Sequence, residues 1–281
     1  MNKIKKILVP TDFSETADNS LQAALLMAKT CGAELYLVHF YHTFIEEGSI
    51  QKPFAWKPEP DEEYQVSMGR LTDREELANH HFPDLKIHTV IHQGLMADEI
   101  GVLIKTRNID LIVCGTVGAD WIGEHLFGTN TSAIVQFVKV PVLVVPRTAT
   151  ILKVKKIVFA TDFHPGDLAV LREMISLAAL FGTTVEILHI SKSVTQNSES
   201  DIWLQEMNKV EIKGKKIDYL HLISSGSLED KLMYYLDQHK VDILLLTTKG
   251  KSLFERIFMG SLSRKMVCHA QIPVLIYHTE N

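Results

Sequence analysis

Residues 110–146 read DLIVCGTVGADWIGEHLFGTNTSAIVQFVKVPVLVVP, and the fold can be read outward from them. Leu111 to Cys114 is a short apolar run of the kind that forms a strand buried on both faces of a parallel sheet. Gly115 and Gly118 follow at once, and after nine further residues come Gly128 and Thr129. An amphipathic helix is expected from there to about Val138, and a second apolar run, Val142 to Val145, lies between Pro141 and Pro146. A strand that breaks into glycines and re-enters a helix through Gly-Thr-Asn-Thr is suited to hold an anion. Glycine lets the backbone approach a ligand, and a helix start offers unpaired N–H groups at a positive dipole end. Thr129 and Thr131 add hydroxyl donors.

The stretch occurs twice. Residues 242–278 read DILLLTTKGKSLFERIFMGSLSRKMVCHAQIPVLIYH, with position 250 against 118, 260 against 128 and 273 against 141, a constant offset of 132. The starts of the two copies also match, LVPTDFS from Leu8 and VFATDFH from Val158, but there the offset, 162 against 12, is 150. The first copy therefore carries 18 extra residues (150 less 132) between its first strand and its glycine loop. An internal repeat sets the domain count, here two domains at 1–148 and 152–281.

Bulk properties narrow the field. Each copy is long enough to bury a core without disulfides or metals. The composition, 46% hydrophobic and 22% charged, is that of a soluble globular protein. A net charge of −5 argues against non-specific nucleic-acid binding. Cys31, Cys114 and Cys268 are scattered and lack metal-ligand spacing, as expected of reduced thiols in a reducing compartment. The chain opens Met1-Asn-Lys-Ile-Lys-Lys without an apolar leader, and no stretch approaches the roughly 20 apolar residues of a membrane helix. The expected compartment is the cytoplasm, with no membrane partner.

Taken in order, the first copy reads β-α-β-α-β-α-β-α-β. Strand Lys6 to Pro10 leads to Ser14, an N-cap with Glu15 and Asp18 behind it, and Gly32 is placed to stop the helix. Strand Glu34 to Phe40 precedes a Pro-rich, aromatic stretch, Tyr41 to Pro60, read as a loop or partial lid. Helix Glu62 to His80, strand Lys86 to Gln93 and helix Ala97 to Thr106 lead back to Asp110. The second copy repeats the order, with a helix expected over Pro165 to Phe181. This alternation specifies α/β domains, each a parallel sheet flanked by helices and joined by right-handed crossovers. The closing strands, Val142 to Val145 and Val274 to Tyr277, are apolar edges suited to pairing between the domains.

Familiar phosphate motifs are missing. Gly250-Lys251-Ser252 mimics the end of a Walker A loop, but the upstream glycine position holds Leu245, and no G-x-G-x-x-G follows the first strand of either copy. What stands instead is G-x-x-G-x9-G-[ST] after strand four, an aspartate at the end of strand one, and a Pro-Val-Leu-Val-Val fifth strand. Together these resemble the universal stress protein family in its tandem form, over essentially the whole chain. The resemblance implies two Rossmann-like domains of the adenine nucleotide alpha hydrolase type, each a five-stranded parallel sheet. It also implies stress-response or regulatory proteins that bind ATP, ADP or AMP, with or without Mg²⁺.

Carried over by position, the resemblance puts Asp12 at the ribose and metal-bridged phosphates, with Pro10 and Thr11 lining the same strand end. Phe40 would contact adenine through its backbone. Gly115 and Gly118 would pass under the ribose and phosphates, which Gly128, Thr129, Asn130 and Thr131 would hold. In the second copy the matching positions are Asp162, Ile190, Gly250, Gly260, Ser261 and Ser263, while Thr247 replaces the first glycine. The loops also differ in charge. The first carries Asp120 and Glu124 and no Lys or Arg between Gly115 and Thr131; the second has Lys249, Lys251, Arg256, Arg264 and Lys265 against Glu255. Two unlike sites are expected, the second suited to a polyphosphate if Thr247 can be accommodated.

Plainer roles compete: Asp12 and Asp162 as capping residues, Gly115 and Gly118 as a bend, His39 and His189 as structural histidines. No catalytic nucleophile, base and oxyanion set and no metal site is legible. The expectation is a binding protein with at most slow ATP hydrolysis, arranged as an intramolecular pseudo-dimer, with further homodimer formation left open. A nucleotide-free dimerisation scaffold is the alternative, and an ATP-dependent enzyme using Asp12 or Asp120 as base is a third reading.

Overall fold

The computed structural model describes residues 4–41, 62–116, 131, 134–135, 137–149, 153–192, 198–208, 217–248 and 272–279. The first half comprises β1 (Lys6–Pro10), α1 (Glu15–Cys31), β2 (Glu34–Tyr41), α2 (Glu62–His81), β3 (Ile87–Gln93), α3 (Met96–Arg107), β4 (Leu111–Thr116) and β5 (Val142–Pro146). The second comprises β6 (Lys156–Ala160), α4 (Asp167–Leu180), β7 (Thr184–Ser191), α5 (Ser198–Asn208), β8 (Asp218–Ile223), α6 (Leu228–Gln238), β9 (Ile243–Thr248) and β10 (Val274–His278). Thr131, Ile134, Val135 and Phe137 are helical as well.

The strands form one sheet of ten, ordered β3-β2-β1-β4-β5-β10-β9-β6-β7-β8. Within each half every pairing is parallel; β5 and β10 alone pair antiparallel, Val144 opposite Val274 and Leu143 opposite Leu275. The two apolar closing runs thus cover each other's edges, and the halves become one continuous sheet.

Alternation along the strands explains the two cores. Ile7, Val9, Leu111 and Val113 face the layer of α1, α2, α4 and α5, with Leu21, Leu25, Leu171, Met174 and Trp203. Leu8, Ile112 and Cys114 face the opposite layer, with Ile100 and Leu103 of α3, Ile134, and Leu232 and Leu236 of α6. Ile7, Val9, Ile112, Val113, Ile157 and Phe159 are fully buried, each contributing about 1.5–3 kcal/mol by area removed from water. A strand that must be apolar on both faces loses the period-two signature and reads as a continuous run.

Local chemistry sets the ends of α1. Ser14 Oγ accepts the Ala17 N–H, Glu15 and Asp18 occupy the first turn, and Gly32 closes the helix in the left-handed region (φ 65°), its N–H reaching the Ala28 carbonyl. Asp110 and Asp242, the first residues of the two repeated stretches, do the same job in each half. One Asp110 carboxylate oxygen accepts the N–H groups of Lys5 (2.8 Å) and Lys6 (3.0 Å), tying the start of β4 to β1. Asp242 accepts those of Lys155 (2.7 Å) and Lys156 (2.8 Å).

Several element ends shift by a residue or two from the sequence expectation, and two of the shifts bear on the site. Strand β4 runs through Gly115 to Thr116 instead of stopping at Cys114, because Gly115 stays in register with Val145 of β5. Helix α4 begins at Asp167, not Pro165. There His164 Nδ1 accepts the Gly166 N–H (3.1 Å) and its carbonyl accepts the Asp167 N–H (2.9 Å), so His164–Gly166 make a turn where α1 already has its first helical residues.

Candidate functional site

In each half the strand order reverses direction between the first and fourth strands, where crossovers leave to opposite sides and a crevice opens beyond the strand ends. In the first half that crevice is a cleft of ≈ 390 Å³ between β1 and β4. Pro10, Thr11, Asp12, Phe40, Gly115 and Thr131, named from the sequence, all line it. Ser14, Thr16, Ala17, His39, Met96, Cys114, Thr116 and Ile134 complete the wall. Gly118, Gly128, Thr129 and Asn130 lie outside the described residues.

The turn after β1 is built from short side chains that hydrogen-bond their own backbone. Thr11 N–H donates to the Val38 carbonyl (2.8 Å), fixing the strand end against β2. Thr11 Oγ1 accepts the Phe13 N–H and Asp12 Oδ1 the Ser14 N–H, both at 3.0 Å. Phe13 sits at φ 66°, a position that costs a bulky residue about 1–3 kcal/mol and persists only when neighbours impose it. The neighbours are identifiable. The His39 ring lies 4.4 Å from the Phe13 ring, and the Arg74 guanidinium lies 5.0 Å from it. Arg74 is fixed by two bonds to Asp18 (2.6 and 3.0 Å) and one to the Phe13 carbonyl (3.2 Å). The strained turn holds the exposed Asp12 at the rim of the cleft.

Gly115 sets the floor. A Cβ there would stand 2.5 Å from Thr16 Cγ2 and 2.7 Å from the Thr16 carbonyl oxygen, so the first turn of α1 lies directly on the β4 backbone. The Thr131 hydroxyl donates to the Gly115 carbonyl (2.7 Å), fastening the start of the following helix to the strand. Burial pushes the Cys114 thiol up to about 12, the Thr131 hydrogen bond opposing only in part, so it stays protonated at neutral pH and offers no nucleophile. His39 Nδ1 meets the Thr11 carbonyl at 2.9 Å; a carbonyl only accepts, so Nδ1 carries the proton.

The second half keeps the frame and fills the crevice. His189 Nδ1 meets the Thr161 carbonyl (2.8 Å), Phe163 repeats the positive φ at 64°, and Asp162 is again exposed. Ile190, the counterpart of Phe40, is buried. At the crevice, however, Asp167 is 1% exposed and accepts the hydroxyls of Thr161 (2.6 Å) and Thr247 (2.8 Å). Burial raises its pKa above the ordinary 3.8, the two threonine hydrogen bonds pulling it back in part. Gly250, Gly260, Ser261 and Ser263 lie outside the described residues, as do the charged loop residues Asp120, Glu124, Lys249, Lys251, Glu255, Arg256, Arg264 and Lys265.

Sequence reasoning missed Asp167, whose bond to Thr247 spans 80 positions. It also missed Arg74; an arginine on an otherwise polar helix gave no signal. Among the described residues no cluster of three His, Cys, Asp or Glu could hold a metal ion. A larger groove of ≈ 610 Å³ runs between α4 and residues 139–141. Its wall is mainly apolar, with His278 Nε2 and Thr279 Oγ1 buried beside it without hydrogen-bond partners. The motif residues converge on the smaller cleft, which is therefore the candidate site.

Comparison with known proteins gives the same ancestry for both halves. The model of the universal stress protein family matches residues 3–146 and again 153–278. Universal stress protein Slr1230 of Synechocystis sp. is 23% identical over 292 residues, covering 98% of this chain and all of that one. Universal stress protein MJ0577 of Methanocaldococcus jannaschii is 29% identical over 161 residues, 51% of this chain and 95% of that one. A crystal structure of a universal stress protein from Archaeoglobus fulgidus superposes with a TM-score of 0.70 at 17% identity, covering 99% of this chain and 98% of that one. No helix among the described residues is long and apolar enough to cross a membrane.

Proposed function

The chain belongs to the universal stress protein family, and from that premise we propose that the cleft of its first half binds an adenine nucleotide. ATP, ADP or AMP is the ligand class, and the protein acts in the cytoplasm as a regulatory binding protein in a stress response. Residues 1–148 and 152–281 are its two domains, held as a pseudo-dimer through β5 and β10.

One observation carries the reading. The ≈ 390 Å³ cleft opens at the switch point of the first half and gathers Pro10, Thr11, Asp12, Phe40, Gly115 and Thr131 from four separate parts of the chain. Its chemistry fits a nucleotide. Phe40 and Met96 supply an apolar wall for a base, the bare Gly115 backbone supplies close approach for a ribose, and Asp12 supplies a carboxylate for ribose hydroxyls or a phosphate-bound Mg²⁺. The Thr131 hydroxyl hydrogen is committed to Gly115, so phosphate donors are assigned to the backbone N–H groups from Gly128 to Thr131. With the Cys114 thiol in the cleft wall protonated, binding without fast turnover is the expected behaviour.

The test is calorimetric titration of ATP, ADP and AMP into nucleotide-stripped protein, with and without Mg²⁺. Binding is expected, weakened about tenfold or more by Asp12→Ala, the worth of one charge-assisted contact. Heat from none of the three nucleotides would replace this reading with that of a nucleotide-free scaffold.

A further inference from the structure

Placed side by side, the two crevices differ in the side chains at matched positions of helix and strand. In the first half the helix residue over the fourth strand is Thr16 and the strand residue beneath is Gly115, with no space for a Cβ between them. At the matching positions, 150 and 132 residues on, the sequence has Gly166 and Thr247, and the atoms nearest to a Cβ on Gly166 would be those of Thr279 and His164. The fourth strand of the second half thus carries a side chain where that of the first carries none. Asp167, 150 residues on from Ala17, stands at the matching position, and its carboxylate takes the hydroxyls of both Thr161 and Thr247. Thr161, Asp167 and Thr247 are 1%, 1% and 8% exposed, and where the first half has only the Ala17 methyl group beside Thr11 and Gly115, the second has a carboxylate hydrogen-bonded to both threonines.

We infer that Asp167 is the residue that keeps nucleotide out of the second half and makes the chain a one-site binder. Three independent effects point the same way. The Asp167 side chain and the Thr247 γ-substituents occupy the volume beside the strand that a ribose would need. A carboxylate at that place repels phosphate. Displacing it would leave two threonine hydroxyls and a carboxyl buried without partners, at about 1–3 kcal/mol each. The inference rests on the nucleotide reading of the first half, and its test separates the two.

An azido-ATP photoprobe with Mg²⁺, followed by mapping of the labelled peptides, scores each half on its own. The expected wild-type result is label on peptides of residues 1–148 only, with one equivalent bound in calorimetry and none in Gly115→Val. Label on peptides of residues 152–281 in the wild type overturns the inference and leaves the first-half reading intact. No label on residues 1–148 overturns that reading instead. Asp167→Ala with Thr247→Gly is expected to gain label on the second half and a second equivalent, while the space-filling Asp167→Asn gains neither. Should the opened variant stay unlabelled on residues 152–281 while keeping its label on residues 1–148, the assignment to Asp167 is wrong; the retained label shows that the variant is folded, and the wild-type map tests the one-site count by itself.

Discussion

Both halves hold a phenylalanine in the left-handed region directly after the strand-one aspartate, and they cover it with opposite chemistry. Over Phe13 lies the Arg74 guanidinium, bonded to Asp18 and to the Phe13 carbonyl. Over Phe163 lies the Trp203 ring, 5.2 Å away, whose Nε1–H donates to the His164 carbonyl (3.1 Å). Arg74 is a charged clamp at the surface, and Trp203 is 2% exposed and part of the core. The same division holds at the crevices, one left accessible beside an ion pair and the other packed with Asp167 and two threonines. Duplication preserved the strained turn in both halves, while its surroundings in one kept an opening and in the other gave it up for packing.

The difference can be broken at four points. Trp203→Ala should cost about 3–5 kcal/mol of stability in chemical denaturation, the usual loss for a buried tryptophan that leaves a cavity; a loss below 1 kcal/mol would mean that Trp203 is not a core element. Gly115→Thr, which copies the second half into the first, should cost about 1–3 kcal/mol and nucleotide affinity together. Adding Thr16→Gly should recover only part of that stability, because a Cβ at position 115 also meets the Thr16 carbonyl oxygen at 2.7 Å; full recovery would show the Thr16 methyl group to be the whole obstacle. Arg74→Ala should cost only about 1 kcal/mol, since Asp18 is half exposed and the pair is screened; the loss should shrink with added salt.

The smallest effect is a slope. Asp167 binds its proton more tightly in the folded than in the unfolded chain, so the wild type loses stability as pH rises from about 4 through the raised value. Asp167→Asn has no such term, and its stability relative to wild type should improve between pH 4 and 7. His164 and Asp162, the charged neighbours of Asp167, are the same in both proteins. A constant difference across that range would show that Asp167 has no raised pKa.

The sequence was informative where a signal is local. Ser14, Gly32, the apolar runs and the 132-residue repeat specify helices, strands and the two halves, because caps and periodicities are read within a turn or two. Thr247 was visible as a lost glycine, but its partner Asp167 was not, since only the fold brings residues 80 apart in sequence to 2.8 Å. The same holds for Arg74 and Asp18, 56 apart. The displaced start of α4 came from a histidine ring capping a glycine N–H, a bond that no propensity encodes. The apolar closing strands announced an edge, and the antiparallel register of Val144 on Val274 is what the edge was for.

That pairing has a consequence in time. The β5 edge, Val142 to Pro146, leaves the ribosome well before β10, which begins at Val274, nearly 130 residues later. At about 10 residues per second, β5 waits on the order of ten seconds with one side unpaired. During that interval the nascent first half is a sticky intermediate that a neighbouring chain's β5 can capture. The joint that unites the finished molecule is, during synthesis, the point where it is most exposed to the wrong partner.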